Sequence, residues 1–192
     1  MNRLIKAVWF TATWITVAGL STAQAPPEKD HPHEDCGQAH GVLKRFLDLD
    51  GNTGRQWTPQ LMSLITDTDS PGWDTQLVIE RYEIEECQRT LKGFEIPVRY
   101  WIVGKLTSAG DAGLPIFEPG IALQHVRFEV VRADDGFKVR DVGSLEPRVY
   151  PSTAIAELKK LADHGSPATR QEAVRSATQL VRDTAARLRQ SR

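Results

Sequence analysis

Leu123-Gln124-His125-Val126-Arg127-Phe128-Glu129-Val130-Val131-Arg132 puts Val126, Phe128 and Val130 on one parity and His125, Arg127 and Glu129 on the other. Side chains of a β-strand point alternately to opposite faces, so this period of two predicts a half-buried strand. Asp134-Asp135-Gly136 follows, and Asp-Gly is a strong tight-turn signal. Phe137 to Val142 then reads as the returning strand. Working back from the hairpin, Glu95 to Leu106 predicts a strand with Val98, Tyr100, Ile102 and Leu106 on one face. Leu77 to Cys87 predicts another, with Val78, Tyr82 and Ile84 together. Ser108 to Gly120, carrying Gly110, Gly113, Pro115, Pro119 and Gly120, is expected to be a long loop.

On both sides of the strands the period changes to helical. Ala39, Val42, Leu43, Phe46 and Leu47 recur at three- and four-residue spacing and predict a helix near 37–49, stopped by Gly51-Asn52-Thr53-Gly54. A short helix is expected after Thr58, its N-cap, with Pro59 at the first helical position. Its buried side is Leu61, Met62, Leu64 and Ile65. After Pro151, Ser152 or Thr153 caps a helix carrying Ile155, Leu158 and Leu161, ended by His164-Gly165. Ser166-Pro167 opens a last helix with a thin stripe of Val174, Ala177, Val181, Ala185 and Leu188. Arg170, Arg175, Arg182, Arg187 and Arg189 occupy its other positions, so residues 166–192 read as a basic amphipathic helix that packs loosely or projects.

Helices, then antiparallel strands, then helices define an α+β chain. The expected architecture is N-terminal helices packed on a curved antiparallel sheet, with extra C-terminal helices. Across residues 37–145 this order resembles the nuclear transport factor 2-like superfamily, the cone-shaped fold that includes ketosteroid isomerase. The resemblance is carried by Val42-Leu-Lys-Arg-Phe46, Val98-Arg-Tyr-Trp-Ile-Val103 and the hairpin Val126-Arg-Phe-Glu-Val130 with Asp135-Gly-Phe-Lys-Val139. Phe46-Leu-Asp-Leu-Asp-Gly51, Thr58-Pro59 and Pro71-Gly-Trp-Asp74 are similar to uncharacterised exported bacterial members. The resemblance implies a domain over 37–165 and a ligand site inside the cone. It also implies a homodimer contact on the outer sheet face, with Trp101 beside Arg99 as the anchor.

The first 25 residues carry Arg3 and Lys6, an uncharged run from Ala7 to Leu20, and Ala23-Gln24-Ala25. These are the parts of a cleavable secretion signal, and the apolar run is shorter than the roughly 20 residues a spanning helix needs. The expectation is cleavage after Ala25 and export to the periplasm or medium, without a stable membrane anchor. Residues 26–36, with Pro26, Pro27 and Pro32, read as a disordered tail. Cleavage removes two of the 24 Lys and Arg and none of the 25 Asp and Glu, moving the net charge from −1 to −3. That charge argues against a nucleic-acid partner.

Two cysteines, Cys36 and Cys87, destined for an oxidising compartment, predict a disulfide. His31, His33, Cys36 and His40 have the composition of a metal cluster, but the disulfide claims the thiol and the tail holds the rest, so no metal site is read there. Asp48-Leu-Asp50-Gly-Asn52 resembles half of a calcium loop. The sixth and twelfth positions, Thr53 and Pro59, lack the required Gly and Glu, and a helix end with a polar turn is the better reading. His125, Arg127 and Glu129 beside Arg99, Lys105, Lys138 and Arg140 predict a solvated sheet face of mixed charge. On the opposite face Tyr82 and Tyr100 join the apolar positions, and Asp141 shares parity with Phe137 and Val139. These three, with Trp57 and Trp73 at the rim, are the candidate ligand residues. No nucleophile elbow, phosphate loop, paired-histidine or dinucleotide motif occurs, and no cofactor is implied. Two functions fit: a non-catalytic domain that binds a small apolar molecule or a protein partner, and an acid–base enzyme of isomerase or hydrolase type.

Overall fold

The computed structural model describes residues 32–66, 74–109, 114–163 and 168–190. The expected secretion signal with Ala25, residues 26–31 of the expected tail, and Trp73 lie outside the described residues. Helix α1 (Pro32–Thr53) and the short α2 (Pro59–Met62) precede six strands: β1 (Thr75–Ile84), β2 (Gln88–Arg89), β3 (Gly93–Ala109), β4 (Leu114–Ala133), β5 (Gly136–Arg140) and β6 (Arg148–Val149). Helices α3 (Pro151–Asp163) and α4 (Ala168–Gln190) follow. Among the described residues no helix is long and apolar enough to cross a membrane.

The strands form one curled sheet in the order β5-β4-β3-β1-β6, with β2 on β3. All pairs are antiparallel except β1 with β6. The chain is therefore α+β with an antiparallel-rich sheet. Asp134 and Asp135 make the β4–β5 turn, and Val130 faces Val139 in the ladder. The expected loop from Ser108 to Gly120 is largely strand: β3 runs to Ala109 and β4 starts at Leu114. Over Leu114–Phe128, β4 has only β3 as a strand neighbour among the described residues, and such an edge position tolerates Pro115 and Pro119.

Two bulges decide where the core lies. In β1 the register shifts around Ile79, and in β3 it shifts between Ile102 and Gly104. An extra residue moves everything beyond it to the other face. Ile79 and Tyr82 therefore pack with α1, whereas Val78 packs with α3 and α4. Likewise Ile96, Val98, Tyr100 and Ile102 join the first cluster, while Val103 and Leu106 join the second. The sequence parity had placed Val78 with Tyr82 and Leu106 with Tyr100, and both pairings are corrected by the bulges. At the second bulge a side chain on Gly104 would collide with the Glu118 carbonyl at 2.5 Å, so the crossing strands need glycine there.

Cluster one holds Leu43, Phe46, Leu61, Ile96, Val98, Phe128 and Val139. Cluster two holds Val103, Phe117, Val149, Leu158, Val174, Ala177 and Val181. The last helix is thus no appendage. Val181 is fully buried, and Val174, Ala177 and Ala185 are nearly so. Small side chains let a helix approach a sheet closely, so a thin stripe need not mean a weak contact. Arg175, Arg182, Arg187 and Arg189 face solvent.

Three other expectations shift. Helix α1 begins at Pro32, so residues 32–36 of the expected tail are helical. Cys36 and Cys87 form a disulfide with Cα atoms 6.3 Å apart, which ties the start of α1 to the segment between β1 and β2. Met62 is exposed rather than buried. The polar sheet face is as expected for Arg99, Arg127, Glu129 and Arg140, with Arg99–Glu85 at 2.6 Å, Arg127–Glu95 at 3.4 Å and Arg140–Glu129 at 3.5 Å, but Lys105 lies beyond the β3 bulge and turns to the other face, toward Glu146. Exposed pairs of this kind contribute little, about 0–1 kcal/mol each.

Candidate functional site

Helix α1 ends in two consecutive left-handed residues, Gly54 at φ 64° and Arg55 at φ 55°. This reversal carries the Arg55 side chain back beneath the helix. Its Nε and Nη2 donate to the two Asp50 carboxylate oxygens, both at 2.9 Å. Nη1 donates to the carbonyls of Val142, at 2.7 Å, and of Leu145. The Arg148 backbone N–H also donates to Asp50, at 3.2 Å. Asp50, Arg55 and Arg148 are all nearly inaccessible. The half-calcium-loop residues are thus a helix end, and Asp50 is a structural anion satisfied by three donors.

Arg148 places a guanidinium over the Tyr100 ring at 4.5 Å and donates to Gln124 and to the Glu146 carbonyl. Burial lowers the Arg148 pKa from its ordinary value. Burial raises that of Tyr100, whose hydroxyl finds no hydrogen-bond partner among the described residues. Tyr82 stands opposite Tyr100 in the ladder, with ring centroids 6.4 Å apart. Its hydroxyl donates to Asp48 at 2.5 Å, and Lys44 holds the other oxygen of that carboxylate at 2.6 Å. Burial works against ionisation of Asp48, yet the bonds from Lys44 and Tyr82 hold its carboxyl below the usual range. Tyr82 is pushed up by burial and then by that anion.

The two tyrosines assigned to a ligand site therefore do meet, on the face toward α1. Their intended partner does not join them. β5 stops at Arg140, and Asp141 turns into the left-handed region at φ 53° to open a 3₁₀ turn. Its carboxylate is exposed and lies 3.6 Å from Arg140, so the parity that put it with Phe137 and Val139 fails at the strand end. Trp57 packs against the first cluster with its indole nitrogen buried and unpartnered among the described residues. Trp101, expected as an interface anchor, is half-buried under the Arg81 guanidinium at 3.8 Å.

Space for a ligand lies elsewhere. The interior between α1 and the sheet is filled by Leu43, Phe46, Ile96, Val98 and Phe128. A cleft of about 380 Å³ opens instead where α3 meets the ends of β1, β3 and β4. Leu106, Leu158 and Leu161 form its apolar part, and Gln56, Asp74, Gln76, Thr107, Glu157 and Lys160 its polar part. Burial raises the Glu157 pKa, opposed by a hydrogen bond from Gln76 and the charge of Lys160. Once the Gln76 amide nitrogen serves Glu157, its Oε1 is left buried with no donor among the described residues. Gly54 makes room for the acid, since a Cβ there would sit 2.5 Å from Glu157 Oε1. Sequence reading passed over these residues. Glu157 is one charge on an amphipathic helix, Gln76 one polar residue in a strand, and only the packing of α3 on β1 brings them together.

No protein-family model matches the chain, and no curated protein or solved structure matches it significantly.

Proposed function

We propose that this chain is an exported, non-catalytic binding domain of the cone-shaped nuclear transport factor 2-like type, and that it holds a small amphipathic molecule. The order of elements and the motifs of α1, β3 and the β4–β5 hairpin support the fold assignment. Export rests on the residue pattern of 1–25, with which the Cys36–Cys87 disulfide is compatible. The cleft carries the binding reading. Gln76 and Glu157, hydrogen-bonded to each other, form a polar end, and Leu106, Leu158 and Leu161 offer an apolar wall. Pockets of this mixed kind, apolar with a few convergent polar groups, are where small ligands bind. The chemistry selects a ligand with a hydroxyl, amide or amine donor at one end and a hydrocarbon body. A donor supplied by the ligand is accepted by the Glu157 carboxyl group. Extraction of freshly purified protein, followed by mass spectrometry, should recover such a molecule. Protein that is clean and whose melting temperature is unmoved by long-chain amines, alcohols and amides rejects the reading.

A second reading, an acid–base enzyme, draws on the Tyr82–Asp48 pair at 2.5 Å. An ionised acid beside a phenol is a general-base arrangement. The filled interior beside it weighs against a substrate reaching it. Turnover of any substrate that collapses in Tyr82→Phe would favour this reading over the first.

A further inference from the structure

Cys36 and His40 stand one helical turn apart on α1, and Cys87 reaches them from the segment after β1. Their three ligand atoms, two sulfurs and one imidazole nitrogen, lie within 4.8 Å of one another. His40 Nε2 is buried and has no hydrogen-bond partner among the described residues. A buried imidazole nitrogen without a partner is unusual, because such groups are nearly always paired. In the disulfide form neither sulfur is a hydrogen-bond partner for it. We propose that, when the disulfide is reduced, Cys36, His40 and Cys87 bind a divalent ion of the zinc class, with water as the fourth ligand.

The steps balance. A dithiol reductant gives two electrons and two protons to the Cys36–Cys87 bond and itself becomes a disulfide. The incoming ion then displaces the two thiol protons to solvent, and neutral His40 lends a lone pair. Two thiolates offset the charge of the ion. Zinc takes thiolate at about 2.3 Å and imidazole at about 2.0–2.1 Å in a tetrahedron, which places such ligand atoms roughly 3.5–3.8 Å apart. The two sulfurs, once reduced, part to that spacing, and the imidazole nitrogen, already within 4.8 Å of both, needs only a small adjustment to join them. Helical neighbours four apart share a face, so Cys36 and His40 come to the ion together. Soft thiolates exclude magnesium and calcium. The ion would take over the covalent link between α1 and the β1–β2 segment. Oxidation or metal then holds the same junction, and only the reduced, metal-free form lacks it.

The test uses the full chain, reduced with a dithiol and desalted under nitrogen, then titrated with Co²⁺ as a spectroscopic probe for zinc. The expected result is one ion per chain, a near-ultraviolet thiolate-to-cobalt band with tetrahedral visible bands, and displacement by Zn²⁺. Oxidised protein should show none of these. His40→Ala should weaken binding by more than the about 10–100-fold typical of losing an outer-shell partner. If reduction unfolds the chain, Zn²⁺ should restore its melting transition in the wild type and not in His40→Ala. Absence of the thiolate band, equal uptake by oxidised protein, equal affinity in His40→Ala, or failure of Zn²⁺ to restore an unfolded reduced chain would each overturn the proposal.

Discussion

Arg55 neutralises Asp50 under the end of α1, and both side chains are almost wholly inaccessible. Breaking a buried pair by removing one partner costs about 3–5 kcal/mol, because the remaining charge is stranded. Arg55→Met should therefore lower the free energy of unfolding in urea by that amount. Adding Asp50→Asn should recover much of it, and a cost below about 1 kcal/mol for the single change would show that water reaches Asp50. The tyrosines give a second test at this scale. The chain has three, Tyr82, Tyr100 and Tyr150, and burial raises the pKa of each. Above the ordinary tyrosine range the unfolded chain releases phenolic protons that the folded chain keeps. The folded state then binds more protons, so stability falls as pH rises past about 10. Absorbance at alkaline pH should show all three ionising together with unfolding. A tyrosine titrating near 10 in protein that circular dichroism shows to be folded would contradict the burial described.

Helix α4 is the element whose contribution the sequence understated. Its stripe of Ala and Val covers Val78, Val103 and Phe117 in the second cluster. Uncovering a Val or Phe costs about 1.5–3 kcal/mol, so truncation before Ala168 should lower the melting temperature by at least about 6 °C. An unchanged transition in circular dichroism would make the helix an appendage after all. The hairpin was legible because period two and Asp-Gly are local signals, and so was the Thr58-Pro59 helix start, where the Thr58 hydroxyl accepts from the Leu61 N–H. The bulges at Ile79 and Gly104 were not, since each depends on a partner strand distant in sequence. Face assignments beyond a bulge then inverted, as for Val78 and Leu106. The loop over 108–120 was misread for a related reason. Pro115, Pro119 and Gly120 signal a break locally, yet an edge strand accommodates them.

At the scale of the molecule, two apolar clusters flank one sheet, and the cleft lies at the ends of β1, β3 and β4, beside α3. The candidate site was only half legible. Tyr82 and Tyr100 do pair across the strands, but Asp141 leaves them, and Glu157 with Gln76 emerges only from the packing of α3 on β1. The central claim is that a small amphipathic ligand binds at that cleft, and ligand occupancy by native mass spectrometry tests it most directly. Wild type, Glu157→Gln and Tyr82→Phe should be purified side by side under identical conditions. The account predicts a bound molecule on wild type and Tyr82→Phe, and a loss of about tenfold or more in occupancy on Glu157→Gln, where a charge-assisted hydrogen bond disappears. Full occupancy of Glu157→Gln together with an empty Tyr82→Phe would place the ligand against α1 and contradict the account.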